Sequence, residues 1–456
     1  MRNLRDRGIA VWLYRFGVPG AGLIVFLGMS WLYTFGDRGV YEHVLTLYGI
    51  VPFGSPFLDI SGWLAVWECA RQGVDVVVAN PCDVLHRGYG SSPLWIAASA
   101  IPLGVRDTTA VGWFLNLVFI ASLSFLPSPR CLRELILVLA VTLSTMVIFA
   151  VERANPDILL FITILATGIL AEYRLSMRVL GYSLALVAAL LKYYPITVLI
   201  IVFRETPSVF VAVSLLLLAC LGVFWAEYHG EIARGLSSIA TGPYGTDLFA
   251  AKNLPFLVGE MAGIAAEPSR WTSLVQSVVA GGLYAILVGS SVAICRRLLR
   301  SGELRAAIAS LTPRERLFLV IGSAVIAGCF FAGQSVGYRG VYFLMAVPGL
   351  LAISRATSPE IRRLSLGTSV VIVLLMWGEC FRLTLYRALE HPGAPEMLAG
   401  LKILFWLLRE LGWWWTISVM LTVLVDFLWD SPIARWVSSR FDHSISRSPR
   451  RIERFF

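Results

Sequence analysis

Long apolar runs fill most of this chain, and they fix the solvent in which it can fold. Of its 456 residues, 57% are hydrophobic and only 15% are charged, whereas soluble domains carry about 25% charged residues. The chain also has 15 tryptophans, a residue type that is enriched where helices meet the membrane–water interface. The composition therefore predicts an all-α polytopic membrane protein.

The net charge of +9 does not indicate nucleic-acid binding, because the basic residues are clustered between apolar runs. Under the positive-inside rule such clusters, and here both termini, are cytoplasmic. We therefore predict a multi-pass protein of the cell (inner or plasma) membrane that binds no nucleic acid. The clusters are Arg2, Arg5 and Arg7; Arg296, Arg297, Arg300, Arg305, Arg314 and Arg316; and Arg435, Arg440, Arg447, Arg450, Arg451 and Arg454.

This orientation gives about eleven apolar segments in one membrane domain, residues 1–437. A basic, disordered cytoplasmic tail, residues 438–456, is predicted to follow. Residues 35–92 are the first sizeable polar stretch and form a large exterior loop. Another exterior loop is predicted from His229 to Arg270.

Two apolar segments are expected to be irregular. The first part of 91–126 has only about half the ~20 residues that a span needs, which predicts a short or re-entrant helix. The sequence KYYP at 192–195 interrupts the segment 179–203, which predicts two half-helices.

The turns on the predicted exterior face hold most of the unusual polar residues. Ionisable groups at the edge of the hydrocarbon are costly unless they are paired or hydrated, so their presence suggests a function. Because many separate turns reach one face, we expect a single cavity there. The candidate residues are Asp59, Asn80, His86, Glu152, Asn155, Asp157, Lys192, Asn253, Gln334, Tyr338 and Arg339.

Asp59 precedes a predicted amphipathic helix, residues 60–71. In a partly dry cleft, its carboxylate can accept the proton of a hydroxyl that attacks the anomeric carbon of a sugar. The alternative is that Asp59 is a helix N-cap, where Asp is favoured. Asp75, Asp83 and His86 are rival candidates for the base.

Two cations are candidates for holding a phosphate. The ammonium of Lys192 can stabilise a departing phosphate, or it can snorkel to the interface. The planar fork of Arg339 suits bidentate phosphate contact, or it is an ordinary interfacial arginine beside Tyr338.

The remaining polar candidates also have two interpretations. Glu152, Asn155 and Asp157 can orient sugar hydroxyls, or Asn155 to Asp157 can cap the helix that follows. The seven cysteines show no metal-ligand spacing, and the sequence leaves open whether Cys69 and Cys82 of the exterior loop form a disulfide. No metal-ligand cluster is evident, although a divalent cation held by Asp59 and a phosphate stays an alternative.

Several motifs, in this order, resemble the C-type (GT-C) membrane glycosyltransferases that use polyprenyl-phosphate sugars, within them most closely a mannosyltransferase-like group. The resemblance covers roughly residues 11–428. The motifs are GVDVVVANP at 73–81, YGSSPL at 89–94, ERANPD at 152–157, GYSLALVAALLKYYP at 181–195 and YRGVYFLMAVPGLL at 338–351.

The resemblance implies a GT-C fold with its active site on the periplasmic or extracellular face. It also implies that Asp59 is the catalytic base and that Lys192 and Arg339 contact the donor phosphate. Asp157 and Asn253 would line the sugar pocket. This chain departs from the family's usual pattern at two positions. Cys82 follows Asn80-Pro81, where the family usually has Tyr, and Ala154 precedes Asn155, where the family usually has Gly. These departures bear on the identity of the sugar and the acceptor more than on the reaction.

From this resemblance we expect an inverting transfer of mannose, or another hexose or pentose, from a polyprenyl-phosphate donor to a lipid or glycan acceptor. Two alternatives remain. One is a transporter or flippase of lipid-linked sugars, which would carry charged residues deep in its spans. The other is a lipid-diphosphate-dependent glycan ligase or polymerase, in which the 229–270 loop would matter more than residues 35–92.

Overall fold

The computed structural model describes residues 2–237, 242, 248–263, 270–389 and 395–446. Within these residues the chain is helical, and its β-type pairing is confined to one isolated bridge between Phe249 and Ser335. The α-helices of this part are α1 (Arg2–Phe35), α2 (Arg38–Leu47), α3 (Leu58–Arg71), α4 (Pro93–Ala97), α5 (Thr108–Ser122), α6 (Leu132–Thr142), α7 (Thr145–Arg153), α8 (Pro156–Leu170), α9 (Leu175–Lys192), α10 (Pro207–Ser237), α11 (Asn253–Gly263), α12 (Arg270–Leu299), α13 (Gly302–Ala309), α14 (Pro313–Ala332), α15 (Phe343–Ile353), α16 (Pro359–Met376), α17 (Gly378–Leu389), α18 (Pro395–Trp429) and α19 (Pro432–Ser446). Short 3₁₀ helices are Ala98–Ala100, Val105–Asp107, Leu123–Phe125, Tyr194–Arg204 and Gly337–Tyr342.

Seven helices in the described part of the chain are long and apolar enough to cross a membrane. Two further pairs, α6 with α7 and α16 with α17, pass the same test together but are bent by 47° and 58°, which raises the number to nine. The prediction of an all-α, membrane-embedded protein is therefore confirmed. The count of about eleven segments and the orientation of the termini stay predictions.

The core lies around α14, which passes through the middle of the molecule. In the most apolar stretch of α14, 83% of the residues are buried, compared with 11% in α10 and 17% in α12. Every residue of α15 is also buried, and α15 packs against α14. Because α10 and α12 expose apolar side chains along most of their length, they are the surfaces that lipid hydrocarbon would cover.

The predicted short helix and the predicted break at KYYP are both confirmed, but α9 is itself long and apolar enough to cross a membrane, so the prediction of two half-helices is wrong for α9. The first part of 91–126 forms the five-residue helix α4, capped by Ser92. Helix α9 ends at Lys192, and the chain continues after Tyr193 as a 3₁₀ helix. Pro195 lies in the first turn of that 3₁₀ helix, where its missing N–H costs no hydrogen bond.

The two predicted exterior loops and the tail are more helical than the sequence indicated. Residues 35–92 contain α2 and α3, and the predicted helix 60–71 is confirmed but begins at Leu58. Helices α10 and α11 occupy much of His229 to Arg270. Helix α19 runs past Ser438 to Ser446, into the segment predicted to be a disordered tail. The disorder of the tail stays a prediction, and residues 447–456 lie outside the described ones.

Phe57 locks the start of α3 against α5. Its backbone has a φ of 63°, in the left-handed region that is unusual for a bulky residue. Its ring lies over Gly112 of α5, where an added Cβ would approach the Phe57 Cγ to 2.5 Å and Cβ to 3.1 Å. Gly112 therefore leaves the space that sets the position of α3.

We expect Gly112→Ala to lower the midpoint of thermal unfolding in detergent, because overpacking costs about 1–3 kcal/mol. Gly289→Ala on α12 is the matched control, since a Cβ there meets nothing within 4 Å. Both changes gain the same helix propensity. Equal stability of the two variants would contradict the proposed contact.

Candidate functional site

A cavity of about 1450 Å³ brings together side chains from widely separated parts of the chain. Six basic and three acidic side chains line it, which gives its wall a net charge of +3. The predicted site residues that line it are Asp59, Asn80, Asn155, Lys192, Gln334, Tyr338 and Arg339. The charged lining is Arg87, Arg153, Lys192, Lys252, Arg339 and Arg409 with Asp59, Asp83 and Glu379.

Asp59 lies in the first turn of α3 and points into this cavity with 18% of its side chain exposed. The N-cap of α3 is Phe57, so the interpretation of Asp59 as a cap is wrong. One carboxylate oxygen of Asp59 accepts a hydrogen bond of 2.7 Å from the Asn155 amide. The other accepts one of 3.3 Å from Arg87 Nη1, and Arg153 Nη1 lies 3.9 Å from it.

Arg87 connects Asp59 to the segment that precedes α4. It donates hydrogen bonds from Nε and Nη2 to the carboxylate of Asp83, at 2.8 and 3.0 Å, and from Nη2 to the Leu58 carbonyl at 3.0 Å. Gly62 of α3 leaves room for this guanidinium, since a Cβ there would collide with Nη2. A disulfide between Cys69 of α3 and Cys82 fastens the same segment one residue before Asp83. The disulfide question left open by the sequence is thus answered.

Asn155 links the Asp59 carboxylate to Asp157, whose backbone N–H it caps. Its Oδ1 accepts a hydrogen bond of 2.9 Å from the backbone N–H of Asp157, which makes Asn155 the N-cap of α8. Its Nδ2 donates to Asp59 at the same time. The cap and the polar-site interpretations of Asn155 are therefore compatible.

Asp157 is fully buried and forms an ion pair with Lys192 at the end of α9. Arg339 Nε lies 3.9 Å from the other carboxylate oxygen of Asp157, too far for a hydrogen bond. Both of these atoms are buried and lack a hydrogen-bond partner among the described residues. Since Lys192 and Arg339 also line the cavity, two cations face it with one carboxylate behind them.

Aromatic rings surround these two cations. The Lys192 ammonium lies 5.5 Å from the centre of the Tyr338 ring, and the Arg339 guanidinium lies 4.7 Å from that of Tyr194. Such contacts hold cations in a fixed position without neutralising their charge. The predicted snorkelling of Lys192 is not what the structure shows, since Lys192 turns inward to Asp157.

Four predicted residues lie outside the cavity lining: Asp157, described above, and the three that follow. Glu152 is buried behind it and accepts a hydrogen bond of 3.3 Å from Tyr41. Asn253 is buried and bonds the Leu248 carbonyl and, at 3.4 Å, Gln334. His86 is exposed, with a φ of 49°. In these positions, Glu152 and Asn253 support the cavity wall from behind and do not line the cavity.

The rivals of Asp59 for the base have other partners. Asp83 has a side chain that is 1% exposed and is held by Arg87. Asp75 is half exposed and pairs with Arg234 at 3.1 Å, beside a separate cavity of about 310 Å³. Of the four candidates, Asp59 alone combines a position in the large cavity with a partly exposed carboxylate.

Sequence reasoning missed Arg87 and Arg153 as partners of Asp59. The spacing of Asp83 and Arg87, four residues apart, is a signal for an ion pair, but it does not indicate that the same guanidinium reaches Asp59. Arg153 lies within ERANPD, and its guanidinium lies 4.2 Å from the centre of the Phe53 ring. This contact joins residues that are far apart in the sequence, so no local pattern indicates it.

Metal-ligating side chains do not gather in threes or more anywhere in the described residues. Comparisons with known protein families, with curated proteins and with solved structures find no match to this chain. The resemblance to GT-C glycosyltransferases therefore stays a prediction drawn from the sequence.

The pair of Asp83 and Arg87 predicts a pH dependence of stability. Burial raises the pKa of the Asp83 carboxyl, but the hydrogen bonds and charge of Arg87 outweigh it, and the net shift is downward. The pair therefore stabilises the fold above the ordinary aspartate range near 3.9, and this stabilisation is lost as the pH falls through the lowered pKa.

We expect Asp83→Asn to cost about 2 kcal/mol at neutral pH, since it removes hydrogen bonds to a charged group. Thermal unfolding in detergent between pH 7 and pH 3 would measure this cost, which should stay constant down to about pH 5 and shrink below about pH 4. Asp75→Asn, at a more exposed pair, is the control and should cost less than about 1 kcal/mol. A pH-independent cost for Asp83→Asn would contradict this assignment.

Proposed function

We propose that this protein is an inverting glycosyltransferase that takes a sugar from a polyprenyl-phosphate donor at the exterior face of the membrane. The observation that carries the proposal is that Asp59 and the cations Lys192 and Arg339 line one cavity. A carboxylate that can accept a proton and cations that can hold a phosphate are the two groups that the reaction needs.

In the proposed reaction, an acceptor hydroxyl attacks the anomeric carbon of the donor while Asp59 takes its proton. The bond between that carbon and the phosphate oxygen breaks, and polyprenyl phosphate leaves with the electron pair. Attack opposite the leaving group inverts the anomeric configuration. Arg87 and Asn155 are positioning residues here, because they hold both oxygens of the Asp59 carboxylate.

The leaving phosphate would meet Lys192 and Arg339. Arg339 Nε is buried with no hydrogen-bond partner in the described part of the chain, and an unmade hydrogen bond to a buried charged group is costly. A phosphate in the cavity would give the Arg339 guanidinium an acceptor on the side that faces the cavity. Asp157, behind the two cations, keeps their charge from being wholly uncompensated when the site is empty.

The apolar part of the cavity wall supports a lipid donor. Helix α10 contributes Leu221, Phe224, Trp225, Ile232 and Leu236 to the lining, and the Trp225 side chain is 61% exposed. The same helix is the most exposed of the apolar spans. A ligand with a charged head and a hydrocarbon tail could therefore keep its head at Lys192 and its tail along α10.

A flippase of lipid-linked sugars is the second candidate, and one observation favours it. Arg409 and Glu410 are buried within the apolar span Gly400–Trp429, and charges inside spans are common in transport pathways. Transport would need no base, so the two functions differ in their requirement for Asp59.

Asp59→Asn should lower sugar transfer by about 10²–10⁴-fold, the usual contribution of a general base. The assay measures transfer from radiolabelled polyprenyl-phosphate sugars in proteoliposomes, with unfolding measured in parallel to show that the variant is folded. Asp75→Asn is the matched control and should retain activity. Full activity of Asp59→Asn would remove Asp59 as the base, and movement of labelled lipid between leaflets without transfer would favour the flippase.

The phosphate role of Lys192 can be separated from its structural role by a paired substitution. Lys192→Gln alone leaves Asp157 buried without its counter-ion, which costs about 3–5 kcal/mol. Adding Asp157→Asn removes that charge, so the double variant should regain much of this stability. We expect the double variant to bind polyprenyl phosphate at least about tenfold more weakly than the wild type; unchanged binding would contradict the phosphate role.

A further inference from the structure

A second polar cluster lines the same cavity and is built from parts of the chain that the Asp59 group does not use. It comprises Lys252 before α11, Gln334 after α14, Glu379 of α17 and Arg409 of α18. The cavity volume of about 1450 Å³ exceeds the roughly 300–1000 Å³ of a typical single-ligand pocket. A transfer reaction requires that two substrates be held together.

Short backbone contacts fix the wall that carries this cluster. Phe249 and Ser335 exchange backbone hydrogen bonds of 2.7 and 3.3 Å, and the Ala251 N–H donates to the Phe330 carbonyl at 2.8 Å. The Arg409 guanidinium reaches the Leu248 carbonyl at 3.4 Å. Lys252 and Gln334 therefore lie on two segments that are joined to each other and to α18.

Ion pairs hold Glu379 of α17 and Arg409 of α18 in position. Arg409 Nη1 lies 3.1 Å from Glu379 Oε1, and Arg409 Nη2 lies 3.1 Å from Glu410 Oε1. Arg382 binds Glu379 at 2.6 Å from the other side. The Glu379 carboxylate is thereby held at the cavity wall.

The other two members have hydrogen-bonding capacity to spare. Gln334 donates to Asn253 at 3.4 Å, but its Oε1 is buried with no hydrogen-bond partner among the described residues. Among the described residues, no carboxylate forms an ion pair with the Lys252 ammonium. The cluster thus presents an amide oxygen and a carboxylate that accept hydrogen bonds beside an ammonium that donates them.

We infer that this cluster is a saccharide subsite that holds the acceptor, an inference that rests on the proposed glycosyl transfer. Neighbouring sugar hydroxyls both donate and accept hydrogen bonds, which matches this mixed set. A phosphate would be attracted by Lys252 and Arg409, but it has no donor for the Glu379 carboxylate or for the Gln334 oxygen, whereas a sugar hydroxyl can donate to either. A purely hydrocarbon ligand would offer no partner to the Gln334 oxygen or to the Lys252 ammonium.

The test measures binding without requiring transfer. Saturation-transfer NMR on the full-length protein in nanodiscs would report binding of methyl hexopyranosides and of disaccharides built from them. We expect Gln334→Ala and Lys252→Ala each to weaken saccharide binding about tenfold, the loss of one or two hydrogen bonds to a charged or buried group. Gln72→Ala and Lys402→Ala are matched controls outside the cavity and should bind as the wild type does.

The site of binding is decided by a second set of variants. The Lys192→Gln/Asp157→Asn double variant should keep saccharide binding, and saturating polyprenyl phosphate should not displace the sugar. Loss of binding in this double variant, with retention in Gln334→Ala and Lys252→Ala, would overturn the subsite. Binding of phosphatidylglycerol but of no saccharide would overturn the class of acceptor.

The subsite and the proposed function can fail separately. Saccharide binding that depends on Gln334 and Lys252, in a protein that transfers no sugar from any polyprenyl-phosphate donor, would support the subsite and refute the transferase. Transfer that depends on Asp59 but is unaffected, in its KM for the acceptor, by Gln334→Ala and Lys252→Ala would support the transferase and refute the subsite.

Discussion

The buried ion pair between Asp157 and Lys192 is the contact on which the rest of the site depends. Asp157 has no exposed surface, and an isolated buried charge would be prohibitively costly. Lys192, at the end of α9, supplies the opposite charge. Tyr342, on the same 3₁₀ helix as Arg339, donates a hydrogen bond of 3.3 Å from its hydroxyl to the Asp157 carbonyl. The start of α8, the end of α9 and the Arg339 segment are therefore fixed relative to one another.

Asn155 links this buried ion pair to helix α3. It caps α8 through Asp157 and bonds Asp59 with its amide group. On the other side, Arg87, Asp83 and the Cys69–Cys82 disulfide hold α3 to the segment before α4. The Asp59 carboxylate is thus held from two directions, which is the preorganisation that the proposed role as a base would require.

Several particular features were predictable because their causes are local. The length and composition of the runs predicted apolar helices, and KYYP predicted the break after Lys192, since proline ends regular helix geometry. Asn155-Pro156 predicted a helix start, which is what α8 shows. Ala154 has a φ of 43°, in the left-handed region that glycine adopts without strain. This backbone conformation explains why Gly would fit better than Ala before Asn155.

The sequence by itself determined that this chain is helical and membrane-embedded and that polar residues cluster in its turns, because hydrophobic runs, proline and capping residues act within a few positions. Only the tertiary structure decided the partners. Arg87 reaches Asp59 across 28 residues, Arg355 reaches Glu134 across 221, and Gln334 meets Asn253 across 81. Such pairs depend on how helices pack, and a charge in a sequence carries no information about which distant opposite charge will be buried beside it.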